Sequence, residues 1–235
     1  MAGTQYTLRV INNSKSFWDM CVYQMDPDLA AKGAMSLAWF SKPAYSTTTV
    51  KFNWSIDYSF TWSETGELVP GVFFDATQVW PADPSTVGVS TATAAGNQIG
   101  FTYPGRAFNF TSTPTPGAKA GSLYIKEDGS IPEGRASVGI GMSGAGTFAF
   151  QGMPNVTMNL TPHPVYYLVA GSYVQGEVLD IATMTDAVSI QFPDNVYSMT
   201  ATLSSVNTWS VAPSAQVNSL KYKQVIAEER SKMLR

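Results

Sequence analysis

The sequence has little of the side-chain chemistry that most enzymes and metal sites use. Its 235 residues include one histidine, His163, and one cysteine, Cys21. A single chain therefore cannot form a disulfide or a zinc site of the usual histidine and cysteine type. His163 stands between two prolines, in a stiff loop without a neighbouring motif that would make it a general base. We predict a non-enzymatic protein with no catalytic residue, no metal and no cofactor, and an unrecognised hydrolase is the alternative.

Charged residues are also scarce. They make up 13% of the chain, against about 25% in typical globular proteins. The surface must therefore be largely uncharged and polar, and such surfaces repel their own copies only weakly. The charge is uneven: residues 219–235 carry five basic and two acidic residues, and the preceding residues carry nine basic and fifteen acidic ones. An acidic body does not favour nucleic acid as a partner.

Long apolar runs are absent as well. No segment approaches the roughly 18 residues that a membrane-spanning helix needs, and the N-terminal stretch MAGTQYTLRVINNS lacks the apolar core of a signal peptide. We expect a cytoplasmic protein and do not expect a membrane partner. One segment, Ala136–Gln151, alternates apolar with small residues. It fits either a sheet face packed closely against another backbone or a membrane-active β-hairpin.

Strand signals dominate what is present. Short alternating runs recur every 8–15 residues or so between Gly, Pro and Asn turns, which predicts an all-β fold. We expect an antiparallel β-sandwich over residues 1–213, with a barrel-like closure as the alternative. One short helix is predicted near residues 26–32, because Asp26 can cap it, Pro27 suits its first position and Gly33 can end it.

The segment from Val50 to Trp62 alternates without a break. Its polar positions separate seven apolar ones: Val50, Phe52, Trp54, Ile56, Tyr58, Phe60 and Trp62. This parity, with no Gly or Pro in the segment, predicts one continuous strand of about 13 residues. An aromatic face of this size would be costly in water, so we interpret it as a core wall and not as a ligand platform.

Residues 214–235 form a different kind of segment, a basic helical tail. They lack glycine and proline and are rich in helix formers. Four residues fall on one side of the predicted amphipathic helix: Ile226, Arg230, Met233 and Leu234. We predict that this side docks on an acidic surface of its own body or of a second copy, so that the chain itself is the expected partner.

Two tryptophans suggest a different partner. Trp80 and Trp209 lie outside the long alternating segment, beside or near prolines. Exposed indole rings can stack on sugar rings, so these residues are candidate ligand-binding positions in a glycan-binding module. The alternative is that both rings close the ends of a sandwich.

Several stretches resemble a known bacterial family. They are YTLRVINNSKSFWDMCVYQMDPDL, MSLAWF, TTTVKFNWSIDYSFTWSETGELVPGVFFDATQVWPA, TPHPVYYLVAG and GEVLDI. Together they are similar to the rhizosphere-induced (RhiA-like) proteins of soil and plant-associated bacteria, over most of residues 5–195. The resemblance implies a soluble protein whose expression is linked to quorum sensing. It implies no established activity, cofactor or catalytic residue.

Overall fold

β-strands are the main regular secondary structure of the chain. The structure is a computed structural model that describes residues 4–30, 32–163 and 165–233. Its strands are β1 (Gln5–Asn12), β2 (Trp18–Met25), β3 (Met35–Ser36), β4 (Phe40–Ala44), β5 (Thr49–Ser55), β6 (Tyr58–Ser63), β7 (Gln78–Ala82), β8 (Gln98–Thr102), β9 (Asn109–Thr111), β10 (Leu123–Glu127), β11 (Ser137–Met142), β12 (Ala145–Gln151), β13 (Thr157–Leu160), β14 (Val165–Gly171), β15 (Val188–Ile190), β16 (Ser198–Leu203) and β17 (Trp209–Pro213).

These strands form four sheets. Their orders are β17-β16-β1-β5, β15-β14-β2-β4, β3-β12-β11-β6-β7 and β13-β10-β8-β9. The strand pairs are antiparallel except β1 with β16 and β10 with β8, which are parallel. Within the described residues none of the sheets closes on itself, so the sandwich and not the barrel-like alternative is what the chain builds.

The sheets pack in two pairs, each around its own apolar core. The sheets that contain β1 and β2 share one core, in which Leu8, Trp54 and Leu168 are fully buried. The sheets that contain β6 and β8 share the other, in which Phe60 and Phe101 are fully buried. The all-β sandwich class is therefore confirmed, and the structure adds that it is built from two sheet pairs.

The prediction of one continuous strand from Val50 to Trp62 is wrong. The chain leaves strand geometry at Ile56 and Asp57, and β5 and β6 on either side belong to different sheet pairs. Ile56 is exposed at the break, at 47%. The predicted core wall holds on both sides of the break and is buried at Phe52, Trp54, Phe60 and Trp62.

The break has a physical cause in a distant turn. Ser143, between β11 and β12, accepts a hydrogen bond from the Ser55 backbone N–H on its hydroxyl, at 2.8 Å. The Ser143 backbone N–H donates to Asp57 Oδ1 at 2.9 Å. The first bond satisfies a backbone N–H of the segment at the point where strand pairing ends, and the second holds the Asp57 side chain against the turn. The turn thus lets one segment serve both sheet pairs.

Within the described parts of the chain, two α-helices lie outside the sheets. Helix α1 spans Pro27–Ala30, and the predicted cap is present because Asp26 Oδ1 accepts the N–H groups of Asp28 and Leu29 at 3.0 and 3.3 Å. Gly33 follows with a φ of 83°, a conformation that favours glycine at a helix end. Helix α2 spans Ser214–Met233 and begins where the predicted tail begins.

The hairpin of β11 and β12 lies inside a five-stranded sheet. All of β11 is buried, and its glycines allow close packing, since a Cβ on Gly139 would lie 2.3 Å from the Phe148 carbonyl oxygen. The segment Ala136–Gln151 is therefore used for packing in this structure. Neither helix of the described residues is long and apolar enough to cross a membrane.

Candidate functional site

An apolar pocket of about 490 Å³ opens beside α1. We call it the apolar pocket. Distant parts of the chain form it: the end of β2, the α1–β3 region, β12 and the turn that follows Val178. Six of its apolar lining residues are Met25, Met35, Pro70, Phe148, Leu179 and Ile181. Its volume lies within the roughly 300–1,000 Å³ that small-molecule sites typically have.

The packing of α1 holds one wall of this pocket in place. Leu29 is 1% exposed and belongs to the core behind the helix. On the adjoining wall, Ser36 is buried and its hydroxyl donates to the Gln24 carbonyl oxygen at 2.8 Å. The Leu179 backbone N–H donates to the Ser36 carbonyl oxygen at 2.9 Å, which ties the two sides of the pocket together. The pocket is therefore bounded by hydrogen-bonded backbone.

The polar groups of the pocket are mainly acidic. Asp26 and Asp180 line it, and no basic residue does so within the described parts of the chain. Asp26 is 5% exposed. Its Oδ1 caps α1, whereas its Oδ2 accepts only the long 3.4 Å bond from the His163 backbone N–H. One carboxylate oxygen at the wall thus keeps hydrogen-bonding capacity, which favours a ligand that donates hydrogen bonds or carries positive charge.

The described residues do not form a metal site of the usual kind. They contain no cluster of three or more His, Cys, Asp or Glu side chains that would suit a metal ion. Cys21 is fully buried, and burial raises the pKa of its thiol, which makes it unreactive. His163 is exposed and has only its backbone N–H directed at Asp26.

The two predicted ligand-binding tryptophans lie in different sheets. Trp80 is a half-buried residue of β7, and its ring packs 5.7 Å from that of Phe110. Trp209 is the first residue of β17 and lines a pocket of about 120 Å³ together with Trp18. The structure thus does not bring Trp80 and Trp209 together, and their roles in binding stay predictions.

The predicted self-association residues lie towards the far end of α2. Ile226 is half-buried, the side chains of Arg230 and Met233 lie outside the described part of the chain, and so does the whole of Leu234. The apolar side chains that the structure does expose on this helix are different ones. Leu220, Tyr222 and Val225 are 54%, 69% and 52% exposed. They point in several directions around the axis, given 100° per residue.

One unusual titratable group was not foreseen from the sequence. Glu127, the last residue of β10, is 2% exposed. Its Oε2 accepts the Met153 backbone N–H at 2.9 Å, and its Oε1 has no partner in the described residues. Burial raises the pKa of this carboxyl to about 7. The local sequence YIKEDG is typical of a solvated strand end, so only the fold reveals this burial.

The fold and the pocket define an all-β sandwich protein with a mainly apolar pocket that two carboxylates line. A family model described as RhiA matches residues 3–214. Protein RhiA of Rhizobium leguminosarum bv. viciae is 39% identical over 214 residues, covering 90% of this chain and 87% of that protein. The chain belongs to the RhiA family, which confirms the resemblance. No solved structure matches it.

The family match stops at the start of the helical tail. Its last matched residue, Ser214, is the first residue of α2. The two sheet pairs and both pockets therefore lie within the matched region, and nearly all of α2 lies outside it. Properties of the sheets and pockets can thus be tested as family properties, whereas those of the tail must be tested on this chain.

Proposed function

We propose that this RhiA-family protein is a non-enzymatic binding protein, and that its apolar pocket holds a small, mainly apolar molecule that is neutral or cationic. The observation that carries the proposal is the pocket itself, about 490 Å³ with apolar walls and two carboxylates. Burying an apolar ligand there releases roughly 25 cal/mol per Å² of covered apolar surface. We propose the cytoplasm as its compartment, on the composition alone.

The acidic lining supports the choice of ligand charge. An anion would have to approach Asp26 and Asp180 with no basic side chain in the described lining to compensate. Removing an unpaired charge from water is expensive, so a carboxylate or sulfate ligand should be excluded. A cationic or hydrogen-bond-donating head group can instead use the free capacity of Asp26 Oδ2.

A displacement experiment with two matched amphiphiles tests the proposal. The neutral dye Nile red reports occupation of an apolar site by its fluorescence. We expect octyltrimethylammonium to displace it at lower concentration than octyl sulfate, which has the same chain length and the opposite charge. Asp180→Asn should reduce this difference. Equal displacement by both amphiphiles would contradict the assigned ligand charge.

A blocking variant tests the location. Ala182 lines the pocket and is exposed, so Ala182→Trp should obstruct it without disturbing the core. Ala120, an exposed alanine in the 112–121 loop, provides the matched control Ala120→Trp. We expect dye binding to weaken about tenfold or more in the first variant and to stay unchanged in the second. Dye binding that survives Ala182→Trp would place the ligand elsewhere.

Self-association through α2 is a second candidate function, and a separate observation supports it. Among the described side chains of α2, those that hydrogen-bond to the body lie in its first turns: Ser214 bonds with Ser198 and Thr200, and Asn218 accepts from Arg9. Beyond Asn218 every described side chain is exposed except the half-buried Ile226. Helices in proteins gain most of their stability from tertiary packing, and the described side chains beyond Asn218 have little of it. A second copy's acidic body would provide both the apolar contact and the opposite charge that this helix lacks.

Light scattering after size exclusion tests this second function. We expect the full chain to have a molar mass above its monomer value of 25.3 kDa at low salt, and the mass to fall when salt is added. A chain that ends at Asn218 should be monomeric, and Lys221→Glu with Lys223→Glu should weaken the association. A full chain that stays monomeric at every salt and protein concentration would refute the proposal.

A further inference from the structure

A second pocket lies at one end of the sheet pair that contains β1 and β2. We call it the tryptophan pocket. Trp18 begins β2 in one sheet, and Trp209 begins β17 in the other sheet, so the pocket lies where the two sheets part. It measures about 120 Å³, and its other lining residues are Ala170, Asp186, Leu203 and Asn207.

The two indoles are held differently. The Trp209 Nε1–H donates to the Asp186 carbonyl oxygen at 3.1 Å, and its strand pairs with β16, where Leu203 lies opposite. These contacts orient the Trp209 ring before any ligand binds. The Trp18 Nε1–H is buried and has no acceptor among the described residues. This lining residue therefore has an unsatisfied indole donor below the surface, which is unusual in a folded protein.

Polar side chains complete the rim. Asp186 and Asn207 are both exposed, and neither the Asp186 carboxylate nor the Asn207 amide makes a hydrogen bond within the described chain. Asn207 lies in the β16–β17 turn with a φ of 60°, and its backbone N–H donates to the Ser204 carbonyl oxygen at 3.0 Å. The turn thus presents a free amide beside a free carboxylate.

We propose that the tryptophan pocket binds a single non-anionic sugar ring. A sugar has an apolar C–H face, which suits an indole, and a rim of hydroxyls that both donate and accept hydrogen bonds. Asp186 can accept from these hydroxyls, and Asn207 can both donate and accept. The pocket is smaller than a pyranose ring, so it would take up only part of one terminal ring, and it leaves no room for an extended chain. The carboxylate of Asp186 disfavours acidic sugars. This site is independent of the apolar pocket and of the function proposed for it.

Saturation-transfer NMR with monosaccharides tests the inference on the full chain. The probes are glucose, galactose, mannose and N-acetylglucosamine, with glucuronate as the anionic match to glucose. We expect signal transfer from at least one neutral sugar, with a Kd of about 1 mM, and weaker transfer from glucuronate. Two results would overturn the inference. One is that no neutral sugar shows signal transfer at millimolar concentration, and the other is that this pocket binds indole but no sugar.

Three variants and one control locate the site. Trp209→Ala should weaken sugar binding about tenfold or more, and Trp209→Phe, which keeps an aromatic face, should retain part of the affinity. Phe73→Ala is the control, because Phe73 is an exposed aromatic residue outside the lining of the tryptophan pocket, and this variant should bind as the wild type does. Asp186→Asn should reduce the difference in affinity between glucose and glucuronate, and because Asp186 is exposed, misfolding would not explain such a change. Binding that survives Trp209→Ala, or that Phe73→Ala removes equally, would contradict the assignment.

Discussion

The buried carboxyl of Glu127 makes the stability of this protein depend on pH in an unusual direction. Burial raises its pKa in the folded protein from an ordinary value of 4.5 to about 7. Between these two pH values the folded state holds a proton that the unfolded state has released. This difference in proton binding stabilises the folded state. The stabilisation is present in full below pH 4.5, and it is lost as the pH rises to about 7.

The magnitude follows from the width of that interval. Each pH unit is equivalent to about 1.4 kcal/mol, so the difference between 4.5 and about 7 corresponds to about 3 kcal/mol for one carboxyl. The single hydrogen bond from Met153 to Oε2 opposes the shift only in part. A loss of this size is a sizeable fraction of the 5–15 kcal/mol or so that stabilises a typical domain.

The assay is urea unfolding of the wild type and of Glu127→Gln from about pH 4.5 to about pH 8. Glutamine keeps the shape and can still accept the Met153 N–H, but it does not titrate. The wild type should lose about 3 kcal/mol more than the variant over this range. Any cost of burying the amide is independent of pH and cancels in the comparison.

An exposed glutamate provides the control. Glu133 lies in the loop before β11 and is exposed, so Glu133→Gln should follow the wild type at every pH. Parallel pH profiles for the wild type and Glu127→Gln would refute the reasoning, because they would mean that Glu127 is ionised in the folded protein at little cost.

Three further predictions concern the construction of the fold. Gly139→Ala should lower the free energy of unfolding by about 3 kcal/mol in urea, because its Cβ would meet the Phe148 carbonyl oxygen. Gly88 has open space around it, so Gly88→Ala should be neutral or slightly stabilising. Equal effects of the two substitutions would contradict the packing argument. Ser143→Ala should cost about 1–2 kcal/mol by removing the hydroxyl that bonds Ser55, and an unchanged midpoint would show that the strand break has another cause. Ending the chain at Asn218 should leave the melting temperature of a dilute sample unchanged by circular dichroism, and a large decrease would mean that the tail stabilises its own body.

Local patterns were sufficient for much of the secondary structure. The alternation in Val50–Trp62 identified Phe52, Trp54, Phe60 and Trp62 as buried, because strand side chains alternate between two faces. The sequence Asp26 to Gly33 likewise predicted α1, since capping and helix termination depend on neighbouring residues. Family membership also followed from the sequence, through motifs that the RhiA comparisons confirm.

The same alternation could not reveal where the strand breaks. Ile56 and Asp57 continue the pattern perfectly, yet the chain leaves the sheet there because Ser143, 88 positions beyond Ser55, bonds to it. Side-chain periodicity reports which face is buried. It does not report which strand provides the backbone partner.

The candidate sites depend on tertiary structure in the same way. The sequence singled out Trp209, but Trp18 and Asp186 come from distant segments and meet it only where two sheets part. The apolar pocket and the burial of Glu127 leave no local signal either. By itself, the sequence determined the class of fold, the buried aromatic positions of the alternating segment, the helix termini and the family, because these depend on residue type and short spacing. Only the tertiary structure decided the pockets, the strand break and the buried carboxyl, because each depends on contacts between residues far apart in the chain.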